Sequence, residues 1–208
     1  MNNIETTFAT LQAQSKSATI KTVVAGLLGW QDPTNGDILE IQSPFSDPAA
    51  ETPATQKAFE QALALGYTLD SLFAGVTYFR TTSNTPIVLR IYANPIYNYG
   101  KAAFMAKCRQ VGIDAILIQD SPFAERAEFE PEATAQGIHI IHQAIPTTDH
   151  TLTTIAKAAK GFLYCLSPFS PPTTLPQDLS NLITHIRQHS NIPCVTPIPV
   201  PNAQGTVI

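Results

Sequence analysis

Short apolar bursts alternate along the chain with longer amphipathic stretches. IKTVVA (20–25), DILEI (37–41), PIVLRIYA (86–93), DAILIQD (114–120), IHIIHQA (138–144) and GFLYCLS (161–167) read as buried strands, and IPCVTPIPV (192–200) begins as another. Between them, PATQKAFEQALAL (53–65) has helical periodicity and ends at Gly66, a C-cap signal. TLDSLFAGVTYF (68–79) opens on Thr68 as an N-cap and places Leu69, Leu72, Phe73 and Val76 on one face. Helices are also predicted over 102–111, 129–137, 147–159 and 175–189. Strands separated by helices predict a parallel α/β fold, barrel or doubly wound. There is no GxGxxG and no P-loop, so nothing supports a nucleotide-binding sheet.

One strand breaks its own pattern. Glu40 sits inside the apolar run Ile38–Leu39 and Ile41, and the loop behind it is stiffened by Pro44 and Pro48 around Phe45, Ser46 and Asp47. A lone buried glutamate costs several kcal/mol unless it is paired, protonated or used. Two readings follow: a proton-handling group at a strand end, or the partner of a buried Arg or Lys.

Composition narrows the function classes. In 208 residues the hydrophobic share is 44%, charged residues are 13% and the net charge is −4, with no basic stripe, so nucleic acid is not expected as a partner. The length fits a single domain over 1–208, with a proline-rich tail over 196–208. No apolar run is long enough for a membrane span, and MNNIETTFATLQAQSKS has no basic region followed by an apolar core. Cys108, Cys165 and Cys194 form no CxxC pair, which fits a reducing, cytoplasmic setting. His185 and His189 are four apart on a predicted helix but lack the intervening Glu of HExxH, so they read as a solvated face and no metal is expected.

LEIQSPFSDPAAETPATQ, YANPIYNYG, CRQVGIDAILIQDSP and GFLYCLS stand in an order and spacing that resembles the tryptophan synthase alpha chain family, over residues 18 to 196. The resemblance implies a (β/α)8 barrel that cleaves indole-3-glycerol phosphate to indole and glyceraldehyde 3-phosphate and passes indole to a pyridoxal-phosphate β chain. It implies no cofactor for this chain itself. Glu40 matches the family's catalytic acid/base at the carboxyl end of the second strand, the face where barrel enzymes place their reacting groups. Glu51 falls where the family has a second carboxylate, an Asp, and its extra methylene displaces that group. Tyr164 matches a tyrosine of the substrate pocket, or is a core aromatic at a strand end.

Four departures limit what carries over. The stretch from Ala25 to Gly36 leaves about ten residues where a parallel crossover usually needs a dozen or more, so the first helix is expected to be lost or reduced to a turn. The phosphate cradle looks dismantled: Ser167-Pro168-Phe169-Ser170-Pro171-Pro172 replaces a glycine-rich loop, and Pro197 and Pro199 replace two glycines with residues that cannot donate an N–H. The eighth strand is expected to be missing and the barrel open, with its edge covered by residues 3–15, by the tail or by another chain. Arg90, Gln119 and Gln143 fall where the family has apolar pocket residues, and each needs polar partners if buried.

By contrast, the loop 44–53 and the segment 92–100 are well kept. In the family these regions face the β chain, which marks Phe45, Asp47, Asn94, Pro95, Tyr97 and Asn98 as interface candidates; Asn94 and Asn98 are equally readable as turn residues. The expected function is a catalytically weak or inactive relative, a pseudoenzyme, that serves as a protein partner or scaffold. The alternatives are a working lyase acting through Glu40 and Glu51, and an aldolase-like enzyme in which Arg90 grips a carboxylate or phosphate.

Overall fold

The computed structural model describes residues 3–31, 35–49, 51–166 and 176–208. The strands among them are β1 (Ala18–Val24), β2 (Ile38–Gln42), β3 (Ile87–Ile91), β4 (Ala115–Ile118), β5 (His139–Ile140), β6 (His142–Ala144), β7 (Leu163–Cys165), β8 (Cys194–Thr196) and β9 (Gly205–Val207). They form one sheet in the order β5-β4-β3-β2-β1-β9-β8-β7-β6, with every pairing parallel. β5 and β6 are two halves of one strand interrupted at Ile141, whose N–H bonds to Ile116 O at 2.8 Å. The first half pairs with β4 and the second with β7, so the sheet curls into a nearly closed barrel whose ends meet along the chain itself.

The expected loss of the eighth strand is corrected here. β9 lies between β8 and β1, in register Val195↔Gly205 and Ala18↔Gly205, and fills the position that had been predicted empty. Pro197, Pro199 and Pro201 therefore guard no open edge; they lie in the connection between β8 and β9. Gly205 suits the inserted strand because a Cβ there would stand 3.1 Å from Val195 Cγ2 and 3.3 Å from Ala18 O. The tail covers the edge by joining the ladder.

The helices are α1 (Asn3–Ala13), α2 (Pro53–Ala64), α3 (Leu69–Phe79), α4 (Ala93–Tyr99), α5 (Lys101–Val111), α6 (Glu130–Ala135), α7 (Asp149–Ala158) and α8 (Pro176–Arg187). Thr52 caps α2 by accepting the Thr55 N–H, and Thr68 and Ser71 form a capping box at α3. α3, α5 and α6 cover the outward residues of β2 to β5, including Leu39, Ile41, Leu89, Ile116 and Ile118. α7 and α8 cover Leu163, Cys165 and Cys194. α1 was not read from the sequence as an element. It lies across the amino ends of the strands, where Ile4 and Phe8 join the barrel interior, Asn3 Nδ2 donates to Asp114 Oδ1 at 2.8 Å and Glu5 meets His139 at 3.1 Å.

Between β1 and β2 the described residues hold turns and no helix, as the short spacing requires. Trp30 takes over the covering role. Its ring is buried against α3 at Gly75, where a Cβ would come within 2.1 Å of Cζ2, so only glycine admits the indole.

Because side chains alternate along a strand, the inward positions form layers. Ile20, Ile38, Val88, Ala115, Leu117, Phe162 and Val195 pack with α1 toward the amino end. One step of two residues further along β2, β3, β4 and β6 brings Glu40, Arg90, Gln119 and Gln143. The interior turns from apolar to polar along the barrel axis.

Candidate active site

Each polar residue of that upper layer is held by its strand register. Glu40 on β2 stands opposite Thr22 on β1 and Val88 on β3, Gln42 stands opposite Arg90, and Gln143 on β6 stands opposite Tyr164 on β7. Glu51 arrives from the loop before α2, and its side chain is 4% exposed. The sequence-derived site residues Glu40, Glu51, Arg90, Gln119, Gln143 and Tyr164 are thus brought together at the carboxyl end of the barrel.

Arg90 organises them. Its Nη2 donates to Glu51 Oε1 at 2.9 Å, its Nε donates to Gln119 Oε1 at 3.0 Å, and its Nη1 lies 3.6 Å from Glu40 Oε1. Gln143 Nε2 donates to the same Gln119 oxygen at 3.2 Å. Both readings of Glu40 therefore meet in one place, since the carboxylate at the strand end does have a buried arginine beside it. The pairing is loose. Among the described residues neither Glu40 oxygen makes a hydrogen bond, and neither does Thr22 Oγ1 beside it.

Burial dominates the electrostatics. Glu40 is 0% exposed, and loss of solvent raises its carboxyl above the ordinary range, with Arg90, Gln42 and Thr22 only partly offsetting this. Glu51 is raised for the same reason, opposed by Arg90 and reinforced by the charge on Glu40. Burial also pushes the Tyr164 phenol up, aided by Glu40, so Tyr164 is a neutral wall of the site as well as a member of the barrel core.

Tyr92 is a site residue that sequence reasoning passed over. Its hydroxyl donates to Ala49 O at 2.8 Å and stands 3.5 Å from Glu51 Oε1, so it anchors the loop that carries the second carboxylate. The signal was present: an aromatic just past the end of β3, within YANPIYNYG. Phe45 stacks on the Tyr92 ring with centroids 4.6 Å apart, which links the stiff loop after β2 to the site.

The interface candidates ring the same end. Asp47, Asn94, Tyr97 and Asn98 are exposed, while Phe45 and Pro95 are half-buried. Asn94 to Asn98 belong to α4, whose first N–H, that of Ala93, bonds to Asp120 Oδ1 at 2.8 Å; they are helical residues, not turn residues. Tyr97 leans on Phe129 at 5.4 Å. The segment 167–172, read as a lost phosphate loop, lies outside the described residues. Pro197 and Pro199 follow β8 as expected, in a connection where Thr196 Oγ1 donates to Ile198 O at 2.7 Å. Among the described residues no group of three or more His, Cys, Asp or Glu is placed to hold a metal, and no helix is long and apolar enough to cross a membrane.

The family model described as tryptophan synthase alpha chain matches residues 7–203. A tryptophan synthase alpha chain from Cupriavidus taiwanensis is 36% identical across 93% of this chain and 78% of its own length. Among solved structures, tryptophan synthase subunit alpha from Legionella pneumophila superposes with a TM-score of 0.89 at 27% identity, over 100% of this chain and 86% of that one. A chain of the tryptophan synthase α2β2 complex from Pyrococcus furiosus superposes with a TM-score of 0.82 at 29% identity, over 93% of this chain and 88% of that one.

Proposed function

The chain belongs to the tryptophan synthase alpha chain family, and from that premise we propose that it is an alpha-like subunit that docks on a tryptophan synthase β chain and cleaves indole-3-glycerol phosphate weakly at best. The observation that carries this reading is the Arg90 network. Cleavage by the family's chemistry needs a proton delivered to indole C3 while a glycerol hydroxyl gives one up, and both carboxylates must be free to face the substrate. Here Glu51 is bonded to Arg90, and Gln119 and Gln143 are bonded into the same chain. A flat apolar bicycle entering this layer would break those bonds and supply no replacements, which costs roughly 1–3 kcal/mol for each buried group left unpaired. Pro197 and Pro199 add to the case, because neither can donate an N–H to a phosphate.

Docking is supported by the exposed face around Asp47 and Tyr97, and by a relative of the same fold in an α2β2 complex. The working-lyase reading is favoured by one feature, the fully buried Glu40, which has Arg90 3.6 Å away but makes no hydrogen bond among the described residues, and whose raised carboxyl suits a proton donor. The aldolase-like reading has less support, since an Arg90 committed to Glu51 and Gln119 has little left to grip a substrate anion. Indole release from indole-3-glycerol phosphate, assayed with the chain alone and with a tryptophan synthase β chain added, tests the proposal. Slow release in both, with a stable complex on gel filtration, is the expected result. Turnover near 10 per second, an ordinary enzyme rate, would establish the lyase reading instead.

A further inference from the structure

We propose that a cleft at the amino end of the barrel is a separate binding site for a small phosphorylated metabolite, whose phosphate Lys16 and Arg187 hold between them. The site lies at the opposite end of the strands from Glu40 and does not depend on any lyase activity.

The cleft is built by the segments that lead into three strands. Ser17 precedes β1, Pro193 precedes β8 and Gln204 precedes β9, while Lys16 follows α1 and Arg187 closes α8. The space between them is about 610 Å³, a size that suits a small molecule. Phe8, Ile192, Pro193 and Ala203 form its apolar side, with the Phe8 ring buried against Phe162 at 5.7 Å. The other lining side chains are amides, hydroxyls and the two cations, and none is acidic.

Charge decides the class of ligand. Arg80, Arg90, Lys101 and Arg126 each meet a carboxylate elsewhere in the protein, whereas Lys16 and Arg187 meet none among the described residues. Asp37 also lies at the amino end of the strands, but its Oδ2 accepts the Thr19 N–H at 2.8 Å. A simpler role for the two cations is to face the carboxyl ends of α1 and α8, which meet at the cleft. Each such end carries about half a negative charge, so two full positive charges leave an excess of about one. The chain also closes these ends itself: Leu11 O accepts the Lys16 N–H at 2.9 Å, and Ile186 O accepts the Ser190 N–H at 3.0 Å. The excess is left for an anion.

The geometry favours phosphate. Arg187 Nη2 donates to Asn202 O at 2.7 Å, which fixes one side of the guanidinium fork and leaves Nε and Nη1 without a partner among the described residues. Ser15 takes a left-handed φ of 55°, where glycine is the usual residue, and so keeps a hydroxyl in the lining. Gln204 is held rigid, with its Oε1 accepting the Cys194 N–H at 2.9 Å and its Nε2 donating to Asn202 O at 3.2 Å. Two cations and a hydroxyl match the several acceptor oxygens of a phosphate, and the apolar side receives the rest of the ligand. The cleft also spans the seam at which β9 closes the barrel, since Ala18 N–H donates to Gln204 O at 2.7 Å. A ligand held from both sides of that seam binds the closed barrel alone and raises its melting temperature.

Titration of ribose 5-phosphate into the full chain labelled with nitrogen-15, at constant ionic strength and with ribose as the uncharged control, tests this. The amide resonances of Lys16, Ser17, Asn191 and Gln204 should shift saturably and the melting temperature should rise, with ribose doing neither. Lys16→Gln and Arg187→Gln should each raise the dissociation constant about tenfold or more, the effect of losing one charge-assisted hydrogen bond. Absence of saturation by about 10 mM, equal shifts with ribose, or shifts confined to the carboxyl end of the barrel would overturn the proposal. So would an unchanged dissociation constant in Lys16→Gln. If Arg187→Gln does not fold, Lys16→Gln decides, because that side chain is exposed and makes no bond among the described residues. No turnover enters these readouts, so their failure would leave the proposed function standing, and a fast lyase would leave this site untouched.

Discussion

Glu40 lies between Leu39 and Ile41 on β2, and burial there holds its carboxyl above the ordinary value of 4.5. The folded chain therefore binds a proton more tightly than the unfolded chain does. The stability linked to this group is fully present below the unfolded value and is lost as pH rises toward the folded one. Glu40→Gln removes the titration while keeping the shape. Urea unfolding of the two proteins should give similar free energies near about pH 4 and a more stable variant near about pH 8. A variant less stable than the parent at the higher pH would mean that Glu40 is held as a well-paired anion. The same substitution should also abolish any indole release that the chain retains, since the other carboxyl at the site, Glu51, is hydrogen-bonded to Arg90 at 2.9 Å.

At the scale of elements, the missing first helix leaves β1 and β2 in need of cover, and a single aromatic supplies it. Trp30 reaches α3 from a turn bounded by Gly26 and Gly29, both with left-handed φ near +80°. Gly75 provides the notch that receives it. Trp30→Ala should cost about 3–5 kcal/mol, the usual range for deleting a large buried aromatic. Denaturant unfolding monitored by circular dichroism reads this directly, since Trp30 is the sole tryptophan and its own fluorescence is lost with it. A loss below about 1 kcal/mol would mean that the turn packs loosely and that the edge has some other cover.

For the whole molecule, closure depends on three residues. β9 and its flanking residues complete the ladder on both sides, with Ala18 N–H of β1 donating to Gln204 O at 2.7 Å and Gln204 N–H donating to Cys194 O of β8 at 2.9 Å. Removing residues 203–208 should free the facing edges of β1 and β8, increase binding of a hydrophobic dye and lower the melting temperature. An unchanged melting curve would show that β1 and β8 hold their places without the insert. Association belongs to the same scale. Asp47 is exposed on the carboxyl-end face beside Phe45, which is stacked on Tyr92 and so loses little freedom on docking. Asp47→Lys should weaken binding to a tryptophan synthase β chain by more than about 1 kcal/mol through a misplaced charge. Equal retention of parent and variant on an immobilised β chain would count against docking through this face.

The sequence by itself determined the alternation of strands and helices, the absence of a full helix between β1 and β2, the family, and the placing of Glu40 at a strand end. Each of these is written in local periodicity or in contiguous motifs, and local pattern survives without knowledge of what packs where. Closure of the barrel was not legible in the same way. Gly205–Val207 is too short for a periodic signal and becomes a strand only because β1 and β8 stand ready on either side. Composition around Arg90, Gln119 and Gln143 showed that partners were needed, but not which, since Arg90 meets Glu51 across 39 positions and Gln119 across 29. The tertiary structure alone decided that these residues satisfy one another, because ion pairing depends on distance in space and is indifferent to separation along the chain.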